Sequence, residues 1–154
     1  MAIEIWMPKL AERIAGIEGL ETVYFPDPSD SDAAISGVLS VFPCAVIMPL
    51  RGGDDEFSIA LQLASTEVQV TIYLSESILP EAYNAAIPFI GRMKRRIAGE
   101  ITLGGLVHHF LPYPLGVVHI WWEGPGSITY GGVPHLGITF RLLVKEQETF
   151  TVAA

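Results

Sequence analysis

Four histidines and one cysteine are the residues of this 154-residue chain best suited to bond-making or metal chemistry. A zinc or iron site needs three convergent imidazole, thiolate or carboxylate ligands. The spacing works against convergence. His108 and His109 are adjacent, so any regular element points them apart. His119 and Glu123 share a strand face at i and i+4, too far apart along a strand to grip one ion. His135 stands apart from the others. A small metal- or ligand-binding enzyme domain built on His108, His109 and His119 is therefore the rival reading, and no cofactor or metal is expected. Cys44, between Pro43 and Ala45, has no nearby cation or helix end to lower its pKa and reads as a small buried hydrophobe.

Other motifs lead away from catalysis. Gly124-Pro-Gly and Tyr130-Gly-Gly look like phosphate cradles, but such a loop must open into a helix N-terminus, and these lie between strands. The acids of Pro26-Asp-Pro-Ser-Asp-Ser-Asp32 alternate as in a calcium loop, yet the required glycine and closing glutamate are missing. That stretch reads as a solvated loop, as does Arg51-Gly-Gly-Asp-Asp-Glu56. Arg92, Lys94, Arg95 and Arg96 form one basic cluster. They complement a helix dipole or receive an acidic neighbour. Trp121 and Trp122 project to opposite sheet faces, one to the core and the other outward, either as an interface anchor or beneath a covering helix.

The elements that position these residues follow from periodicity. Residues 103–150 spell one long β-hairpin, with arms Gly116–Glu123 and His135–Glu146 and a tip over Gly124–Gly132. On the second arm Leu136, Ile138, Phe140, Leu142 and Val144 share one face; Thr139, Arg141 and Lys145 share the other, and Leu143 alone breaks the pattern. Glu67–Ser75 alternates in the same way, with Val68, Val70, Ile72 and Leu74 inward. Glu21–Phe25 and Cys44–Leu50 read as further strands. Ile3, Met7, Leu10, Ile14 and Ile17 form a helical stripe, with Pro8 placing the start of the helix near residue 7. A second stripe, Leu79, Tyr83, Ala86, Ile90, Met93 and Ile97, contains Pro88, which should kink or split it, with Asn84 capping the second half. The order predicts an α+β fold: a single, mainly antiparallel sheet of four to five strands with helices on one face.

Composition sets the outer limits. Half the residues are hydrophobic and mean hydropathy is +0.41, which implies a rich core and apolar surface that meets other subunits. One domain over residues 1–154 is expected. A net charge of −8 argues against wrapping duplex DNA on a basic surface, and leaves room for a wall along which DNA slides. No apolar run reaches a membrane span. The lone cysteine, and an N-terminus in which Glu4 and Lys9 interrupt any signal-peptide pattern, lead to the expectation of folding in the cytoplasm.

One resemblance draws these pieces together. A short N-terminal helix leads to Val23-Tyr24, and a strand ends in Leu50-Arg51-Gly-Gly-Asp. Val70-Thr-Ile-Tyr-Leu74 precedes a helix ending Met93-Lys-Arg-Arg-Ile97, and the chain closes on Ile128-Thr-Tyr-Gly-Gly-Val-Pro-His-Leu-Gly-Ile-Thr-Phe-Arg-Leu142. Over nearly its whole length this resembles the tail terminator (tail completion) proteins of long-tailed bacteriophages and phage-like particles. The resemblance implies a non-enzymatic hexameric ring at the head-proximal end of the tail tube. It would halt tube polymerisation, join the head-completion (stopper) protein, and leave a channel through which DNA passes without sequence-specific binding. It implies a place in the virion neck after assembly in the host cytoplasm, with no membrane partner. Another neck or head–tail connector protein is the alternative within this class.

On that reading Arg51, Asp54, Asp55, Arg92, Arg95, Arg96, Trp121 and Tyr130 are candidates for subunit or partner contacts. Asp27, Asp30, Asp32, Asp54, Asp55 and Glu56 are candidates for acidic loops, at least one lining the channel or facing an ordered neighbour. Repeating the same charges around a narrow lumen is tolerable only for a purpose, such as keeping the DNA backbone from adhering.

Overall fold

The computed structural model describes residues 3–26, 39–57, 61–75, 80–98 and 116–149. Within them the chain forms α1 (Ile3–Ala15), β1 (Thr22–Tyr24), β2 (Cys44–Phe57), β3 (Leu61–Ser75), α2 (Pro80–Ala98), β4 (Gly116–Tyr130) and β5 (Val133–Thr149). The strands make one five-stranded sheet in the order β1-β2-β3-β5-β4. The fold is α+β. The sheet is mixed: β1 lies parallel to β2, while β2–β3, β3–β5 and β4–β5 are antiparallel. The parallel pair needs the crossover that leads from β1 to the start of β2.

Register explains the core. Ile47, Val70 and Phe140 align across three strands, as do Ala45, Ile72 and Ile138. Directly opposed residues point to one face, so these rows make a continuous apolar surface that both helices cover. Leu136, Ile138, Phe140, Leu142 and Val144 are all fully buried, as the alternation on β5 predicts. From α1 come Trp6, Met7, Leu10, Ala11, Ile14 and Ile17, and from α2 come Ala86, Phe89, Met93 and Ile97. Trp6 and Phe89 lie outside the predicted stripes, yet Trp6 is among the largest fully buried side chains.

Several boundaries differ from expectation, each for a physical reason. α1 already runs from Ile3, with Pro8 inside it. Losing one helical hydrogen bond there costs about 3 kcal/mol, which the burial of Trp6 and Met7 on the adjacent turn offsets. α2 is continuous through Pro88, so Asn84 is interior and caps nothing. Pro88 and Asn84 are both exposed, so the carbonyl deprived of its partner lies on the solvent side. Tyr83 is also exposed rather than on the buried stripe. Arg51–Glu56 is not a loop; β2 continues through it, paired to β3, with irregularities between Pro49 and Arg51 and between Asp54 and Glu56. Nor is Gly124–Gly132 a wide tip. Its first seven residues belong to β4, and the turn is Gly131-Gly132, both at positive φ between the opposed Tyr130 and Val133. Two central residues at positive φ are the requirement of a tight hairpin turn.

Phe140→Ala should destabilise the fold by about 3–5 kcal/mol. Ile87→Ala, at an exposed position on α2, should stay within about 0.5 kcal/mol. Gly137→Ala should also be costly, because its Cβ would stand 2.9 Å from the Ile72 carbonyl oxygen, in backbone that has no freedom to retreat. Urea unfolding of the three variants checks this ranking.

Candidate functional site

Two edges of the sheet are open among the described residues. β1 pairs only with Cys44–Val46, so β2 from Ile47 onward has no neighbour on that side. β4 forms the opposite edge along its full length. Unpaired strand edges present rows of N–H and C=O groups that another chain can satisfy. Large apolar side chains accompany them. Met48 and Leu50 are exposed on the open part of β2, and Trp122 and Val133 on the β4–β5 hairpin.

The face away from the helices is polar and cross-linked. Arg51 lies opposite Glu67, and its Nε donates to Glu67 Oε2 at 2.6 Å. The Glu67 side chain is 8% exposed and that of Arg51 is 82%, so an outlying guanidinium neutralises a buried carboxylate. Gln69 donates to Thr71 on the same strand. Trp121 is half-buried on this face, its ring 5.0 Å from that of His119. Trp122 points to the helix side but stays 42% exposed, with the Lys94 ammonium 5.6 Å from its ring centre. Neither tryptophan is a core residue, contrary to the expectation for one of them.

A pocket of about 270 Å³ lies where the C-terminal ends of α1 and α2 meet. Arg13, Arg92, Arg95 and Arg96 line it, with Gly16, Ile17 and Glu18. Each helix end holds the other. Arg13 Nε donates to the Arg96 carbonyl at 2.9 Å, and Arg96 Nε donates to the Arg13 carbonyl at 2.8 Å. Terminal helix carbonyls lack intrahelical donors and carry partial negative charge, so cations belong there. Arg92 Nη1 donates to the Glu18 carbonyl at 3.2 Å, and its guanidinium stands 5.1 Å from the Phe89 ring centre. The Arg96 guanidinium lies directly against Gly16, so a Cβ there would require that side chain to shift. Arg13 joins this site from 83 positions away in sequence, a contact that no local pattern announces.

A second apolar cluster sits on the sheet face away from the helices: Leu39, Cys44, Val46 and Tyr73, with Tyr24, Phe42, Ile128 and Tyr130 against it. Tyr130 packs edge-on to Tyr73, the rings 5.5 Å apart, so it is half-buried rather than displayed at a loop tip. His135 is buried beside Phe42 and Tyr73, and its Nδ1 has no hydrogen-bond partner among the described residues. Burial pushes the Cys44 thiol up from 9.0 to about 11. Burial also raises Tyr73 and Tyr130, with smaller contributions from neighbouring phenols and the thiol.

The structure thus brings Arg92, Arg95 and Arg96 together and adds Arg13. Arg51 is tied to Glu67 on strands, well apart in sequence from that group. Asp54, Asp55 and Glu56 lie on β2 instead of a loop. Asp27, Asp30, Asp32, His108 and His109 lie outside the described residues. Among the described residues no group of three His, Cys, Asp or Glu is placed to hold a metal ion. No described helix is long and apolar enough to cross a membrane. No protein-family model matches the sequence, and no curated protein matches it.

Cys44 should resist thiol-modifying reagents near pH 8 while folded and react on unfolding, because only the thiolate is nucleophilic. Its raised pKa has a signed consequence. Stability is whole below about pH 9 and falls as pH rises towards about 11, where the unfolded chain loses the proton first. Tyr73 and Tyr130 act in the same direction from 10.0 upward. Cys44→Ala should flatten the lower part of that decline, as read by denaturation at stepped alkaline pH.

Proposed function

We propose that this protein is a structural assembly component, a tail terminator of a long-tailed phage or phage-like particle, working as a closed ring with a channel for DNA. The observation that carries the reading is the pair of unlike open edges on one sheet, β4 on one side and β2 from Ile47 on the other. A subunit with two different adhesive surfaces associates head to tail, and head-to-tail contacts close into rings when the rotation permits. The resemblance of the strand and helix motifs to tail terminators supplies the ring size, a hexamer. It also supplies the partners: the tail tube protein on one side and the head-completion protein on the other.

The surface chemistry supports the same role. Exposed Met48, Leu50, Trp122 and Val133 give apolar area to an interface. A net charge of −8 keeps a lumen from binding the DNA that crosses it. The acidic stretches at Asp27–Asp32 and Asp54–Glu56 serve that purpose or meet a neighbour. The reading assigns no catalytic step and no cofactor.

Particles assembled without this chain should carry tail tubes of uncontrolled length that fail to join heads, seen by electron microscopy. Tubes of normal length attached to heads would overturn the reading. Trp122→Ala and Leu50→Asp should weaken ring formation while leaving the unfolding midpoint nearly unchanged, since both side chains are exposed in the single chain. Light scattering and thermal unfolding read the two effects separately.

A further inference from the structure

Three strands of the sheet outrun β4. β4 begins at Gly116, opposite Lys145 of β5. β5 continues to Thr149 along β3, and β3 pairs with β2 as far as Phe57. In this extension Ala64 stands between Asp54 and Glu146, Leu63 between Glu56 and Gln147, and Gln62 between Phe57 and Glu148. With Asp55 at the irregularity beside Asp54, the three strand ends carry five acidic residues and no basic one.

The arginine pocket has the opposite character. Four of the chain's nine basic residues line it. Arg13, Arg92 and Arg96 donate to backbone carbonyls at the helix ends. Arg95 has no hydrogen bond or ion pair among the described residues. Against these four guanidinium groups the lining offers one carboxylate, Glu18, and two helix C-termini of about half a negative charge each. Arg92, Arg95 and Arg96 also repel one another at helical spacings of three and four. An anion seated there relieves that repulsion. The planar fork of arginine matches a carboxylate in two parallel hydrogen bonds.

We propose that this pocket receives carboxylates from the acidic sheet end of a second copy of the chain. The contact names the charged part of the interface in the ring described above and rests on that reading. A nucleic-acid backbone is a poorer occupant: it calls for a stripe of cations tracking successive phosphates, whereas these arginines converge on one small pocket in an acidic chain. Self-association between opposite charges also explains the sign imbalance within the subunit. Four of the nine basic residues line the helix junction, and five of the seventeen acids lie at the ends of β2 and β5.

Arg95 is the residue to change, because Arg13, Arg92 and Arg96 hold the helix ends and Gly19 loop in place. Arg95→Lys keeps the charge and introduces an amine for zero-length carbodiimide coupling. An equal mixture of ordinary and nitrogen-15-labelled full-length protein, coupled at high concentration, should give mixed-label peptides joining position 95 to Asp54, Asp55, Glu56, Glu146 or Glu148. These should be absent from the unsubstituted chain and suppressed by high salt. Arg95→Glu should lower association at least tenfold, and combining it with Asp54→Lys and Asp55→Lys should restore it. Coupling of position 95 only within one chain, or to other carboxylates, overturns the proposal. So does unchanged association of Arg95→Glu. A ring that forms without the cross-link removes this contact and leaves the ring reading standing. The cross-link in a species that never exceeds a dimer removes the ring and leaves the contact. A protein that stays monomeric and uncoupled removes both.

Discussion

Everything in this fold depends on keeping water off one face of the central strands. Val68, Val70 and Ile72 of β3 and Leu136 to Val144 at alternate positions of β5 are fully buried. At about 25 cal/mol per Å² of apolar surface, each such side chain is worth roughly 1.5–3 kcal/mol. That face is too broad for one helix. α1 and α2 must therefore share it, and their last turns meet. The arginine clamp between Arg13 and Arg96 is a consequence: two helix ends forced together expose facing carbonyls, and a guanidinium from each satisfies the other. The pocket exists because the core needs both helices.

The opposite face is organised differently. Near the start of β2 it is sealed by the Cys44–Tyr73–Tyr130 cluster, dry enough to keep the thiol protonated. Further along it is polar, and the buried Glu67 is tolerable only because Arg51 stands across the strand pair. A gradient from apolar to ionic therefore runs along one sheet face. It lets long strands extend past the helix-covered region without presenting an unbroken greasy surface.

Long open strands are an association hazard that proteins normally blunt. Here the blunting is selective. β4 is interrupted by bulges near Val117 and Glu123, and β2 by irregularities near Pro49 and Asp54. The acidic strand ends resist stacking of like on like. Indiscriminate edge pairing is discouraged, while a contact matched in both shape and charge is still allowed.

The alternation on β5 and on Glu67–Ser75 was enough to give two central strands, their buried faces and the α+β class. Periodicity reports burial directly, and burial is what holds those strands. Both helices were legible from their stripes for the same reason. What misled local reading was chemistry that favours turns and breaks in isolation. Arg51-Gly-Gly-Asp-Asp, Gly124-Pro-Gly, Pro8 and Pro88 each carry a local cost of a few kcal/mol at most. Pairing with β3 and β5, or packing on the sheet, supplies more than that, and it arises between residues far apart in sequence. The basic cluster of α2 was visible as charge, but Arg13 and the pocket it completes were not. The sequence by itself determined which faces must be dry. Only the tertiary structure decided where strands end and which charges meet, because those choices depend on partners that come together only after the chain has folded.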